Sequence, residues 1–262
     1  IECRLVGSEM CIRDRYVARM LVHKKEVIKD FKLGIAPILW PIVIICGLIL
    51  PADFSTAAML FIVCFIMLFV GGAKLKHLSA MIGVSIAGFA ILILLNLAFP
   101  GLLPRVDTWQ KRITSFESGS QKENYQAEMA KRAVANGFLF GKGPGKGHVL
   151  YSAQSDFIYA SSIEEFGSIF GGLGLVIMYT ILFFRSIRIM NKTESLFGAY
   201  VVFGLSFLLV FQSLINMGVG VNLFPVTGQP LPLISMGGTS IIFSCVALGI
   251  IINAVSYTHL TL

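Results

Sequence analysis

Six apolar runs without a charged side chain divide this chain: residues 33–50, 54–73, 78–99, 166–184, 196–221 and 231–254. Each is about 18 residues or longer, enough for a helix to cross the hydrocarbon of a bilayer. One small soluble core cannot surround six such helices. With 56% hydrophobic and 13% charged residues and a mean hydropathy of +0.81, the chain also lacks the polar surface that a soluble fold would need. The expectation is an all-α integral membrane protein, a polytopic helical bundle with about six transmembrane helices.

The charges between the runs set the orientation, because short cytoplasmic loops are enriched in Lys and Arg. Segment 17–32 carries Arg19, Lys24, Lys25, Lys29 and Lys32, loop 73–77 carries Lys74 and Lys76, and segment 185–192 carries Arg185, Arg188 and Lys192. The alternating connections 50–53 and 222–230 have neither Lys nor Arg. The basic loops therefore face the cytoplasm, and residues 100–157 form one long extracytoplasmic loop. Its eight Lys and Arg do not oppose this, since long segments cross largely regardless of charge. A net charge of +7 is accounted for by this topology, so no nucleic-acid partner is expected. Cys46, Cys64 and Cys245 lie inside apolar runs and form no C-x-x-C metal spacing. The two ends, roughly 1–15 and 255–262, do not continue the composition of their neighbours and resemble translated adapter or vector sequence. Residues 16–254 are expected to be the membrane domain, a fragment of a longer protein.

The outer loop holds the polar chemistry. Residues 123–136 have helix-forming composition, with Gly137 placed to end the helix. The stretch GKGPGKG, 141–147, lacks the spacing of a phosphate-binding P-loop and reads as a turn, from which Lys142 could still meet a phosphate. Asp156 reads either as a helix N-cap or as a loop carboxylate above a cavity. Glu164 and Glu165 follow about two turns on, where an ionisable group near membrane depth needs a polar or wet surrounding. Gln212 and Asn216 are four apart, hence on one helix face. They read as interhelical hydrogen-bonding groups or as part of the same cavity. PVTGQPLPLIS, 225–235, reads as a rigid proline-rich turn carrying Ser235, and Asp53 as a cap at the outer start of run 54–73 or as a site residue. Polar groups from several runs thus converge on the outer end of the bundle.

These motifs also carry a resemblance. SDFIYASSIEEFG followed by a span, then FQSLINMGVGVNLFPVTGQPLPLISMGGTS, resembles the SEDS family (shape, elongation, division and sporulation) of FtsW and RodA, the FtsW branch more closely. LPADFSTA (50–57), KRITSF (111–116), NYQ (124–126) and GKGPG match other family elements in order. There are two departures. GHVLYSAQSD is short and lacks the family's Leu-Pro stretch, and EEFGSIFGG has one residue more than the family's E-E-x-G-x-x-G-G.

The resemblance implies the C-terminal part of a ten-helix fold in the bacterial cytoplasmic membrane. It implies a peptidoglycan glycosyltransferase that polymerises lipid II in cell division or cell-shape maintenance, beside a class B penicillin-binding protein (a transpeptidase) and other divisome or elongasome membrane proteins. It places the essential carboxylate on Asp156, which activates the acceptor sugar hydroxyl directly or through a divalent cation, Mg or Mn. Lys111, Arg112 and Lys142 are the candidates for offsetting the leaving pyrophosphate. Asp53, Glu164, Gln212, Asn216 and Ser235 complete the substrate-binding set. A flippase for the lipid-linked precursor and a non-catalytic scaffold for the transpeptidase are the competing expectations.

Overall fold

The computed structural model describes residues 3–28, 30–50, 53–98, 125–147 and 155–259. Among these residues the regular secondary structure is all helical, with no strand. In chain order the helices are α1 (Cys3–His23), α2 (Ala36–Ile49, entered through a π-helical turn Phe31–Ile35), α3 (Phe54–Val70) and α4 (Leu75–Ala98). They continue with α5 (Tyr125–Gly137), α6 (Ile158–Gly167), a π-helical segment Ser168–Leu173 leading into α7 (Gly174–Lys192), α8 (Leu196–Gly220) and α9 (Gly238–His259). The stretches Ile158–Lys192 and Leu196–Gly220 are long and apolar enough to cross a membrane; Leu33–Ile49, Phe54–Val70, Leu75–Ile91 and Gly238–Ala254 are shorter apolar helices.

α8 is the mast of the bundle. It packs against α1, α3, α7 and α9 and buries Val202, Leu205 and Leu209 against Val63, Met67 and Leu68 of α3. Along one side of it Phe203, Phe207 and Phe211 stack four residues apart, with ring centroids 5.9 and 5.5 Å apart. The four-residue spacing places them one above another on a single face. α2 contains Pro41 and buries Ile38, Ile42 and Cys46 in the same core. α1 packs through Val17, Ala18 and Leu21. It runs without interruption across residue 15 and buries the Arg13–Asp14 pair, whose nitrogen and oxygen lie 2.7 Å apart.

Run 166–184 departs from a simple span. Gly167 adopts φ +85°, a left-handed conformation that a side chain rarely tolerates. The chain reverses there, so α6 folds back along the π segment and α7. Tyr159 donates its hydroxyl to the Gly172 carbonyl at 3.2 Å, and a Cβ on Gly171 would overlap the Ser162 carbonyl oxygen. The residue that EEFGSIFGG has beyond the family spacing falls within the π segment, where i→i+5 bonding takes up one extra residue. The last helix begins at Gly238 rather than 231, because the prolines of 225–232 keep the preceding chain out of helix.

Candidate functional site

The outer end of α3 supplies the first part of the site. Asp53 is the N-cap of α3: its Oδ1 accepts from the Ser55 and Thr56 backbone N–H groups at 3.1 and 3.4 Å and from the Ser55 hydroxyl at 2.6 Å. Thr56 Oγ1 donates to the other carboxylate oxygen. The cap is joined to the proline-rich turn. Gln229 Nε2 donates to Thr56 Oγ1 at 2.8 Å, and the Ser55 hydroxyl, whose single hydrogen is shared with Asp53, lies 3.0 Å from the Thr227 carbonyl.

The same turn is fastened to α7 and α8. Gln212 Nε2 donates to the Pro230 carbonyl at 3.1 Å and Tyr179 to the Pro232 carbonyl. Ser235 Oγ accepts from the Leu231 N–H at 2.8 Å and donates to the Ser155 carbonyl at 2.7 Å. Asn216 Nδ2 reaches two carbonyls at once, those of Gln229 at 2.7 Å and Asp156 at 3.0 Å. Gln212 and Asn216 therefore do share a face, and they use it to hold backbone. Through Asn216 and Ser235 the residues 155–156 are pinned from two elements. Phe157, fully buried, anchors the next position. Asp156 itself is half-buried. The N-cap residue of α6 is Phe157, so Asp156 stands one position before the cap.

Beside this network lies a cavity of about 470 Å³. Asp53, Ser55, Thr227 and Gln229 line its polar end; Met59, Ile62, Phe211 and Leu214 line its apolar wall between α3 and α8. Asp156 lies across the Asn216–Gln229 contact from it.

Glu164 and Lys142 have a different placement from the one expected. Because the chain reverses at Gly167, α6 leads away from the bundle, and Glu164 stands about 12 Å beyond Asp156 rather than deeper. It is buried, and Lys142 Nζ pairs with its Oε1 at 3.2 Å. The glycine-rich turn is bonded to the hairpin: the Lys142 and Gly143 N–H groups donate to the Glu164 and Glu165 carbonyls at 2.9 and 3.0 Å, and Gly145 N–H donates to the Glu165 carboxylate at 3.3 Å. Sequence reasoning took these elements separately. The signal that links them is the recurrence of glycine at 137, 141 and 167, where backbone meets backbone. Lys111 and Arg112 lie outside the described residues.

Asp156 alone does not make a metal cage. Among the described residues no three His, Cys, Asp or Glu side chains come together as ligands. A Mg or Mn ion, if bound, would be held by the Asp156 carboxylate and would take its remaining oxygens from water and from a substrate pyrophosphate, as Mg commonly does.

The model of the FtsW/RodA/SpoVE family, described as cell cycle protein, matches residues 13–260. The stage V sporulation protein E of Bacillus subtilis (strain 168) is 32% identical over 253 residues, covering 93% of this chain and 66% of that protein. A protein of Aliivibrio salmonicida named "Probable peptidoglycan glycosyltransferase FtsW" is 32% identical over 250 residues, 91% of this chain and 60% of that one. The chain thus spans somewhat under two thirds of these curated relatives. A chain from a structure described as a peptidoglycan synthase complex coordinating polymerization and crosslinking superposes with a TM-score of 0.67 at 23% identity, covering 91% of this chain and 68% of that one. The rod shape determining protein RodA of Thermus thermophilus gives 0.53 at 23% identity, with 89% and 61% covered. At these identities the likeness establishes a shared fold, that of a helical membrane protein.

Proposed function

We propose, on the premise that this chain belongs to the FtsW/RodA/SpoVE family of cell cycle proteins, that it carries the reactive carboxylate of a peptidoglycan glycan-strand polymerase acting on lipid II. The observation that carries the reading is the fixation of Asp156: a half-buried carboxylate whose backbone is clamped by Asn216 and whose neighbour Ser155 is held by Ser235. Glycosyl transfer needs a positioned base more than a strong one. Asp156 accepts the proton of the acceptor sugar hydroxyl as that oxygen bonds to the anomeric carbon of the donor. The bond from that carbon to the pyrophosphate oxygen breaks, and the lipid pyrophosphate leaves with the electron pair. Its charge falls to the cations of the outer loop, Lys111 and Arg112. Lys142 is committed to Glu164 and acts on loop geometry. The apolar wall between α3 and α8 suits the isoprenoid chain of such a lipid.

The alternation of basic and uncharged connections with six apolar helices supports a multi-pass arrangement in the bacterial cytoplasmic membrane, with Asp156 on the outer side. The likeness to a chain of a peptidoglycan synthase complex supports a crosslinking partner, a class B penicillin-binding transpeptidase. The relatives' names favour division or sporulation over elongation.

The test supplies the remaining length from a relative. Residues 16–254 replace the matched stretch of the Bacillus subtilis sporulation protein, and the purified chimera is given fluorescent lipid II. Glycan strands are expected on gels, and Asp156→Asn abolishes them while transpeptidase capture persists. Strands of normal length from Asp156→Asn would sink the polymerase reading and leave a scaffold.

A further inference from the structure

A patch of large apolar side chains projects from the hairpin tip, on the far side from the site. Phe138 and Phe140, in the turn after α5, are 77% and 74% exposed, and Phe166 and Phe170, flanking the reversal at Gly167, are 49% and 69% exposed. They form one surface because backbone joins the two turns: Ser168 N–H donates to the Phe138 carbonyl at 2.8 Å and Ile169 N–H to that of Leu139 at 3.4 Å. An exposed cluster of phenylalanines on a loop surface is costly in water and marks a surface that something covers.

Two features identify the cover. The first is continuity. Below Phe170 the exposed stripe continues down α7 through Leu173, Ile177, Ile181 and Phe184, at helical spacing. α7 is apolar and uncharged until Arg185, so lipid bathes that stripe. The second is height. Tyr159 bonds the Gly172 carbonyl and packs against Gly220, so Gly172 is level with the end of α8. Arg185, the first charge toward the cytoplasmic end of α7, is 18 residues from the tip at Gly167, roughly 27 Å of helix and about one hydrocarbon thickness. The tip therefore stands at the boundary between acyl chains and headgroups. Exposed Lys146 follows the Phe138–Phe140 turn six residues on, as cations border apolar faces at membrane interfaces.

We infer that the Phe138–Phe140 turn and the hairpin tip at Gly167 are set into the outer leaflet as an interfacial anchor, among phospholipid headgroups and the upper acyl chains. The outer loop is then moored at two levels: by Asn216 and Ser235 inside the bundle and by this aromatic tip in lipid. Asp156, at the start of α6, is thereby held at a fixed height below the leaflet surface. The inference needs only a membrane protein and stands whether or not Asp156 is catalytic.

The test uses the chain in phospholipid vesicles, with Trp40→Phe and Trp109→Phe removing the native indoles and Phe140→Trp placing one at the tip. Emission shifted to the blue is expected, with intensity lost when the lipids carry bromine near the head of the acyl chain, and less lost when bromine is near the chain end. Water-like emission with equal intensity in brominated and plain vesicles would overturn the inference. Phe170→Trp in the same background guards against a misfolded variant and against lipid contact confined to α7. Matching quenching at 140 and 170 supports the anchor; quenching at 170 alone overturns it.

Discussion

Asn216→Ala tests how the site is held. The wild-type side chain is 1% exposed and spends both amide hydrogens on backbone, at 2.7 Å to Gln229 and 3.0 Å to Asp156. Truncation removes two hydrogen bonds of about 1 kcal/mol each and strands the Gln229 carbonyl. Asp156 is half-buried, so water can relieve its carbonyl. The sum is about 2–4 kcal/mol, concentrated on two segments. At about 1.4 kcal/mol per tenfold, amide exchange in 155–161 and 227–231 should accelerate by roughly 30-fold to several hundredfold. Amides in the middle of α9, which take no part in this network, serve as the control. Asn216→Asp should do more harm, since a carboxylate would face two carbonyl oxygens. Polymerisation by the chimera should fall with Asn216→Ala even where the protein remains folded, because Asp156 loses its clamp. Exchange in both segments indistinguishable from wild type would refute the account, whatever happened to activity.

The remaining predictions concern stability. Lys142→Ala should cost about 1–3 kcal/mol, less than breaking a fully buried pair because Lys142 keeps part of its hydration; melting in detergent reads it, and Glu164→Gln with Lys142→Met should recover part of the loss. Gly167→Ala should cost more than about 2 kcal/mol, since a side chain there meets both a left-handed backbone and the Leu139 carbonyl; an unchanged melting point would mean the reversal at 167 is not as described. Asp14→Ala should destabilise by about 3–5 kcal/mol by stranding a buried guanidinium, whereas Arg13→Met with Asp14→Leu should be neutral or better. The pair already leaves Arg13 Nη1 and Asp14 Oδ2 without partners among the described residues.

The helices were legible because their signal is one-dimensional. Uncharged length locates α3, α4 and α8 to within a few residues of runs 54–73, 78–99 and 196–221. The shared face of Gln212 and Asn216 follows from their spacing, and Asp53 as a cap follows from its chemistry. The reversal at Gly167 was not legible. Hydropathy continues smoothly through 166–184, and the doubling back shows only in three dimensions, where Gly171 meets Ser162 and Tyr159 bonds Gly172. The fate of Lys142 was hidden for a related reason: 22 residues separate it from Glu164, and nothing local in GKGPGKG points to that partner. Glycine marked both places, yet a glycine reports only that space is tight and leaves open which backbone fills it.

The π-helical turn at Ser168–Leu173 has a consequence for how this loop can change over time. A wide turn stores a spare residue, so an insertion or deletion between 168 and 173 alters the local winding and leaves the rotational phase of α7 untouched below Gly174. Tyr179 keeps its aim at the proline-rich turn, and the lipid-facing stripe keeps its direction. The hairpin above can therefore drift in length while the bundle beneath it is insulated.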